Sequence, residues 1–481
     1  MRNTCLLSVF FNSGTGAARP AGRALLCGLL ALAIILGPVL PAKAFFDFTL
    51  SDEIELGRKF SILVKSQLPL VDDPEVKNYV TGIVQRLLDN IPQQPYTFEV
   101  NVLMAKPINA FAAPGGFIFV FTGLILAMDN ESQLAGVLAH ELAHVTQRHI
   151  ALRIERGQII GLLSTILALG GMFLGGSGKG AAMAGSMAAG QAAMLNYSRI
   201  DEADADHVGL SYLIAAGYRP QGMYESFENI RGKSWGGSIP QYLSTHPDIQ
   251  ERIKDISARV MSLPAETQNR SDDALTFKRI QTLVRAKYSD SREALAHFSK
   301  DKDTPAYLRN MGLGICYARL NRVSDAAAAF DAAVREAPQD SIVWREAGIF
   351  HFNKGRLDLA SEYLNTAAAM NPDDYETSFY FARLLLEDGN YSAAFEQFKN
   401  VLRYLPESSE THFYYGKALL SGGQAFEGNL QLAYSGLYVN DRRKTENFMD
   451  KAKAKIASPQ DQARFDRFKA IYEERAEFWD K

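Results

Sequence analysis

Pro338, Pro372 and Pro406 recur at a spacing of 34 residues. Counting back 24 positions from each reaches Gly314, Gly348 and Ala382, and counting back 12 reaches Ala326, Ala360 and Ala394. Counting back 8 reaches the large apolar residues Phe330, Leu364 and Phe398. Small residues let two helices touch, large ones fill the groove between them, and proline ends the unit. A unit of this kind cannot bury its apolar face alone, so it stacks on its neighbours as a solenoid. A fourth unit starts in register at Gly416 and loses the pattern at Gly428, as capping units often do. Beyond about residue 303 there is no strand signal, and residues 441–481 read as further helices.

This pattern resembles the tetratricopeptide repeat. The resemblance implies a concave surface for peptides or partner proteins over residues 303–440, the alternative being an array that only stabilises what precedes it. Repeats are expected to bury their core mainly against one another. On that expectation, truncation after about residue 265 leaves a folded N-terminal domain. Residues 263–302 are read as a linker and helical connection, polar from Pro264 to Ala274.

The N-terminus reads as an export signal over residues 1–44. Arg2, Arg19 and Arg23 precede an apolar run from Ala24 to Leu40, and Ala42 and Ala44 fit an A-x-A cleavage site. The competing reading is a membrane anchor; Gly37, Pro38 and Pro41 break the run and favour cleavage before Phe45. The leader holds four of the 51 basic residues and none of the 54 acidic ones, so the remainder carries a net charge of −7. A mildly acidic chain without a Lys/Arg cluster is a poor nucleic-acid binder. Cys5 and Cys27 leave with the leader and Cys316 is then alone, which excludes a disulfide or a multi-cysteine zinc site. A metal site must use His and carboxylates.

Such residues stand at His140-Glu141-Leu142-Ala143-His144 in a helix-compatible context. Positions i and i+4 share one helix face, so both imidazoles can reach one ion, while Glu141 can take a proton from water. An accidental surface helix is the bland alternative. A catalytic zinc needs a third protein ligand and an open fourth position. No His stands six residues after His144, and His149, extrapolated along the same helix, falls about 500° round it. Downstream, Ser198-Arg199-Ile200-Asp201-Glu202-Ala203-Asp204-Ala205-Asp206 is an acidic helix that can present Glu202 to the metal. Asp206, one turn later, can accept the free N–H of a ligating His. An ordinary charged helix face is the alternative.

H-E-L-A-H, the Ser198-Arg199/Glu202/Ala205-Asp206 spacing and Asn109-Ala110-Phe111-Ala112 before Pro114-Gly115-Gly116 resemble the M48 family of zinc metallopeptidases. The resemblance covers residues 51 to about 262. It implies a gluzincin fold, one zinc held by His140, His144 and Glu202, and Glu141 as base. The expected fold class is therefore α+β: a mostly helical gluzincin-type metalloprotease domain with a small sheet over residues 45–262, followed by the all-α repeat array. A secreted form joined to repeats resembles the bacterial periplasmic members, with protease and chaperone-like roles at the outer membrane. The resemblance thus implies unfolded or misassembled polypeptides as clients and an outer-membrane protein assembly machinery as partner. A chaperone or scaffold with largely latent protease activity is the main rival; a small-molecule hydrolase is disfavoured because it has no use for a peptide-binding array.

Three further features belong to this domain. The apolar stretch 157–174 reads as a hydrophobic helical hairpin that covers the cleft or touches a membrane or client, with a membrane span or plain core as alternatives. The run Phe117–Phe121 is a strand, read equally well as a substrate-holding edge strand or a buried central one. His246 lies in Thr245-His246-Pro247, and the resemblance includes a Thr-His-Pro segment at about this place. Its roles compete: a catalytic hydrogen-bond donor to an oxyanion, a fourth ligand that latches the enzyme, or neither.

Overall fold

Thr49 opens the first helix with a reciprocal cap: its hydroxyl accepts from the Asp52 N–H at 3.2 Å while Asp52 accepts from the Thr49 N–H at 2.9 Å. The computed structural model describes residues 48–155, 197–233 and 240–479. The leader read at 1–44 and the apolar stretch 157–174 lie outside these residues. Helix α1 (Leu50–Gln67) is followed by α2 (Pro74–Leu88), which starts on the Asp73 cap and has Pro at its first position.

Three short strands follow: β1 (Glu99–Leu103), β2 (Ala110–Ala113) and β3 (Phe117–Phe121). Their order is β1-β3-β2, with β1 parallel and β2 antiparallel to β3. The Phe117–Phe121 run is therefore the central strand, with β1 at one edge and β2 at the other. Its continuous apolar character comes from burial on both faces: Phe111, Phe119 and Phe121 pack with Phe60 of α1 on one, Ile118 and Val120 in the main core on the other. The turn from β2 to β3 uses Gly115 at φ +77° and Gly116 at φ +94°, where a Cβ on Gly116 would lie 2.6 Å from the Thr97 carbonyl oxygen.

Helices α3 (Thr122–Ala127), α4 (Glu131–Thr146) and α5 (His149–Glu155) come next. After the first gap in the description stand α6 (Arg199–Ala215), α7 (Gln221–Gly232), α8 (Gln241–Thr245) and α9 (Ile249–Met261). Helix α4 is buried almost all round because α6, α7 and β2 each cover part of it. Among the described residues no strand occurs after Phe121, and no helix is long and apolar enough to cross a membrane.

The connection is helical: α10 (Ala265–Gln268), α11 (Ala274–Tyr288) and α12 (Ser291–Lys300). The array then runs in pairs: α13 (Ala306–Arg319) with α14 (Val323–Glu336), α15 (Ser341–Asn353) with α16 (Leu357–Met370), and α17 (Tyr375–Glu387) with α18 (Tyr391–Tyr404). Next come α19 (Ser409–Ser421) with α20 (Ala425–Tyr438), then α21 (Arg442–Lys453) and α22 (Pro459–Ala476). The small-to-large offsets act as the spacing requires. A Cβ on Gly314 would meet the Phe330 ring at 3.0 Å, and one on Gly348 would meet Leu364 at 2.8 Å.

Most repeat cores close within the array, around Leu364, Phe398 and Leu430. The first repeats also share a core with the preceding domain: a single cluster runs from Val71 and Val76 through Leu134 and Ile280 to Phe330 and Phe350. Helix α11 is the reason, because Phe277, Ile280, Leu283 and Val284 bridge α2 and α3 to α13. The far end closes as well, with Phe478 packed in the Leu56–Phe60 cluster and Arg475 bonded to Glu407, which also pairs with Lys65 of α1 at 3.2 Å.

Candidate metal centre and active site

Asn130 caps α4 through the Gln133 N–H at 3.0 Å, and the helix continues without Gly or Pro from Val137 to Thr146. One turn apart on it, His140 and His144 bring their Nε2 atoms within 3.0 Å of each other. Helix α6 starts on a capping box between Ser198 and Asp201, which fixes its register and turns Glu202 inward. It lies close on α4: a Cβ on Gly209 would come within 2.9 Å of the Ala139 carbonyl oxygen and 3.0 Å of His140 Cα. Glu202 Oε1 is 3.5 Å from His144 Nε2, and its Oε2 is 3.6 Å from His140 Nε2. His246, at the end of α8, adds Nδ1 at 3.0 Å from Glu202 Oε1 and 3.3 Å from His140 Nε2.

Ligand atoms of His140, His144, Glu202 and His246 lie within 4.8 Å of one another, and all four residues are buried. Two imidazole nitrogens facing each other at 3.0 Å, with a carboxylate and a third imidazole beside them, converge as donors around one point. Three His and one Glu are a nitrogen–oxygen set suited to zinc. The residues present therefore fit a zinc ion.

Electrostatics agree with that donor chemistry. Burial, with Arg252 nearby, pushes His140 down to about 4, and burial with His140 nearby holds His144 well below the usual range, so both rings are neutral. Burial opposes charge on Glu202, yet His246 and Arg252 hold its carboxyl well below the normal value. His246 is raised despite burial, because Glu202 and Glu141 face it. Burial pushes Glu141 up to about 7, with His246 and Arg252 opposing the shift.

The surrounding residues orient the donors. Asp206 Oδ1 accepts from His140 Nδ1 at 2.9 Å. Arg252 of α9 grips Asp206 with Nε and Nη2, both at 2.7 Å, and its Nη1 lies 2.5 Å from Glu202 Oε2. His149 does not join the donor set; its Nδ1 meets His144 Nδ1 at 2.9 Å and its Nε2 meets Asp204 at 3.2 Å. His149 thus stays out of the donor set, as a position about 500° round the helix implies, although Arg148, at φ +55°, breaks the helix between α4 and α5 and brings His149 against His144 instead. Tyr197 stacks on His144 at 3.7 Å and Tyr242 on His246 at 4.3 Å. Sequence reasoning missed Arg252, Tyr197 and Tyr242, and gave His149 no part in supporting His144. Only Arg252 left a trace, as the basic residue that punctuates the inner face of an otherwise amphipathic α9.

The edge strand lies against this helix. Because the Phe121 N–H bonds to the Asn109 carbonyl at 3.1 Å, residues 109, 111 and 113 face β3, and the N–H and C=O groups of Ala110 and Ala112 point outward. The Ala112 N–H faces the Glu141 carboxyl.

Residues 74–260 match peptidase family M48, and overlapping segments from 283 to 442 match the tetratricopeptide repeat. The chain is 30% identical over 265 residues to the beta-barrel assembly-enhancing protease of Escherichia coli, covering 52% of this chain and 54% of that one. It is 34% identical over 168 residues to the mitochondrial metalloendopeptidase OMA1 of Arabidopsis thaliana, covering 33% of this chain and 30% of that one. A solved tetratricopeptide repeat protein from Parabacteroides merdae aligns at 12% identity and TM-score 0.29, covering 52% of this chain and 99% of that one. The chain spans about half the length of the beta-barrel assembly-enhancing proteases it matches.

Proposed function

Since residues 74–260 are an M48 peptidase domain followed by tetratricopeptide repeats, we propose that the protein is a zinc-dependent endopeptidase of the periplasm acting on unfolded or misassembled polypeptides. The carrying observation is the convergence of His140, His144 and Glu202 beside the buried Glu141 carboxyl. When bound, zinc supplies a Lewis acid that lowers the pKa of water towards neutrality and polarises the scissile carbonyl. His140, His144 and Glu202 hold it, and Asp206 fixes the His140 ring through Nδ1. Glu141 takes a proton from the attacking water and returns it to the leaving amine. The N–H and C=O of Ala110 and the C=O of Ala112, which point away from β3, would hold an extended substrate by ladder hydrogen bonds. The relatives' name, beta-barrel assembly-enhancing protease, supports outer-membrane β-barrel proteins as the clients and their assembly machinery as the partner met by the repeats.

The rival reading, a chaperone or scaffold with latent protease activity, draws on one observation. His246 sits inside the donor set with no exposed surface, and Glu141 is equally closed. As a fourth ligand His246 would fill the position that water needs, which favours the latch over a loop histidine without a role. Metal analysis combined with casein digestion tests the proposal. Wild type should carry one zinc and cleave casein. Glu141→Gln should keep zinc and lose turnover by about 100-fold or more, whereas Glu202→Gln should lose zinc. Absence of stoichiometric zinc from freshly purified wild type would overturn it.

A further inference from the structure

Four acids stand within six positions at the start of α6, and three of them have a role in the geometry above. Asp201 closes the cap with Ser198, Glu202 faces the donor set, and Asp206 accepts from His140 Nδ1 at 2.9 Å. Asp204 is the one left. It is two residues from Glu202, about 200° round the helix, so it cannot turn to the donors itself. Its Oδ2 instead meets His149 Nε2 at 3.2 Å, and His149 Nδ1 meets His144 Nδ1 at 2.9 Å. A buried ring thus joins a half-exposed carboxylate to a histidine of the donor set.

The break after α4 puts that ring in place. Arg148 takes φ +55°, and its guanidinium is held by Glu53 at 2.9 Å and Glu155 at 3.1 Å, so α5 begins with His149 turned back on His144. Packing alone would accept any flat ring here. It does not require a partner for each of the two nitrogens.

Counting hydrogens gives these bonds a direction. A neutral imidazole carries one proton, and a ring that gives Nε2 to a metal keeps that proton on Nδ1. His144 Nε2 faces His140 Nε2 at 3.0 Å and Glu202 at 3.5 Å, so its Nδ1–H donates to His149. His149 accepts at Nδ1, holds its own proton on Nε2, and donates from there to Asp204. The reverse order would put the His144 proton on the nitrogen that the metal needs.

We propose that His149 and Asp204 are positioning residues for the second zinc histidine, holding His144 in the tautomer and orientation that ligate, as Asp206 does directly for His140. The proposal rests on the zinc-peptidase reading. A hydrogen bond at the far nitrogen fixes the ring and makes the ligating nitrogen more basic, and such partners are worth about 10–100-fold in metal affinity.

The rate at which the full chain gives up zinc to 4-(2-pyridylazo)resorcinol tests it. His149→Phe keeps a ring and loses both nitrogens, so release should speed up by about 10–100-fold. His149→Asn puts an acceptor near the place of Nδ1 and should recover most of that loss. Asp204→Ala should speed release by less than His149→Phe does, and should add nothing in the double variant, because residues acting through one another are not additive. Release from His149→Phe at the wild-type rate, no recovery in His149→Asn, or a full Asp204→Ala effect in the double variant would overturn the relay. Urea unfolding of metal-free His149→Phe should match metal-free wild type. If that variant is itself destabilised, Asp204→Ala decides, since its position is half-exposed, and unchanged release there would overturn the relay. A failed zinc reading shows in wild type, which then has no zinc to release, whereas a failed relay shows as zinc-loaded wild type and variants that release alike.

Discussion

Arg345→Met should destabilise the junction between the peptidase domain and the repeats by about 3–5 kcal/mol. Arg345 is 1% exposed and faces four carboxylates: Asp73 at 3.4 Å, Glu346 at 2.9 Å, Asp374 at 3.1 Å and Glu376 at 3.2 Å. Lys287 shares three of them, at 2.6, 2.7 and 3.1 Å from Asp73, Glu346 and Glu376. Methionine fills the volume but leaves four buried acids around one ammonium, and uncompensated buried charge is what makes removal of one partner costly. Since whole proteins are stable by only about 5–15 kcal/mol, the loss is a large fraction.

The pH dependence gives a second handle on the same residue. Burial pushes Glu376 up to about 8, against the pull of Lys287 and Arg345. A carboxyl raised above its unfolded value of 4.5 binds more protons in the folded state, so its contribution is full below 4.5 and fades as pH rises through 8. Removing Arg345 raises it further, so the variant should lose more stability at pH 9 than at pH 6. Urea unfolding of the full chain at both pH values, followed by far-ultraviolet circular dichroism, reads this directly. Arg345→Lys should recover part of the loss. A cost below about 1 kcal/mol at both pH values, or a greater cost at pH 6, would refute a functioning buried network.

Three shorter predictions concern the rest of the molecule. Gly209→Val should cost about 1–3 kcal/mol and weaken zinc retention against a chelator, because its Cβ would press on Ala139 and His140 and part α6 from α4; unchanged retention and stability would count against that close packing. His246→Ala should raise basal casein cleavage at unchanged zinc content if the latch holds, whereas a fall at unchanged zinc would assign His246 a catalytic role. Burial pushes the Cys316 thiol up to about 11, so iodoacetamide at pH 8 should label it only after unfolding, and labelling of the folded protein by mass spectrometry would contradict that burial.

Features governed by local periodicity could be read directly. Two histidines four residues apart share a helix face whatever surrounds them, and a 34-residue spacing of small, large and proline residues dictates paired helices. Glu202, 58 residues beyond His144, was legible only because a metal site needs a third donor and an acidic helix offered one. Arg252 and His149 obey no such period. Arg252 reaches Glu202 and Asp206 through packing of α9, and His149 reaches His144 through a break at Arg148. The strand run Phe117–Phe121 could not declare itself edge or centre, since an apolar run is the same string in both settings; pairing with β1 on one side and β2 on the other made it central. The shared core has the same origin. Helix α11 is amphipathic in either arrangement, and whether Phe277 and Ile280 turn to the peptidase domain or to the repeats is a competition between distant surfaces, which no local spacing records.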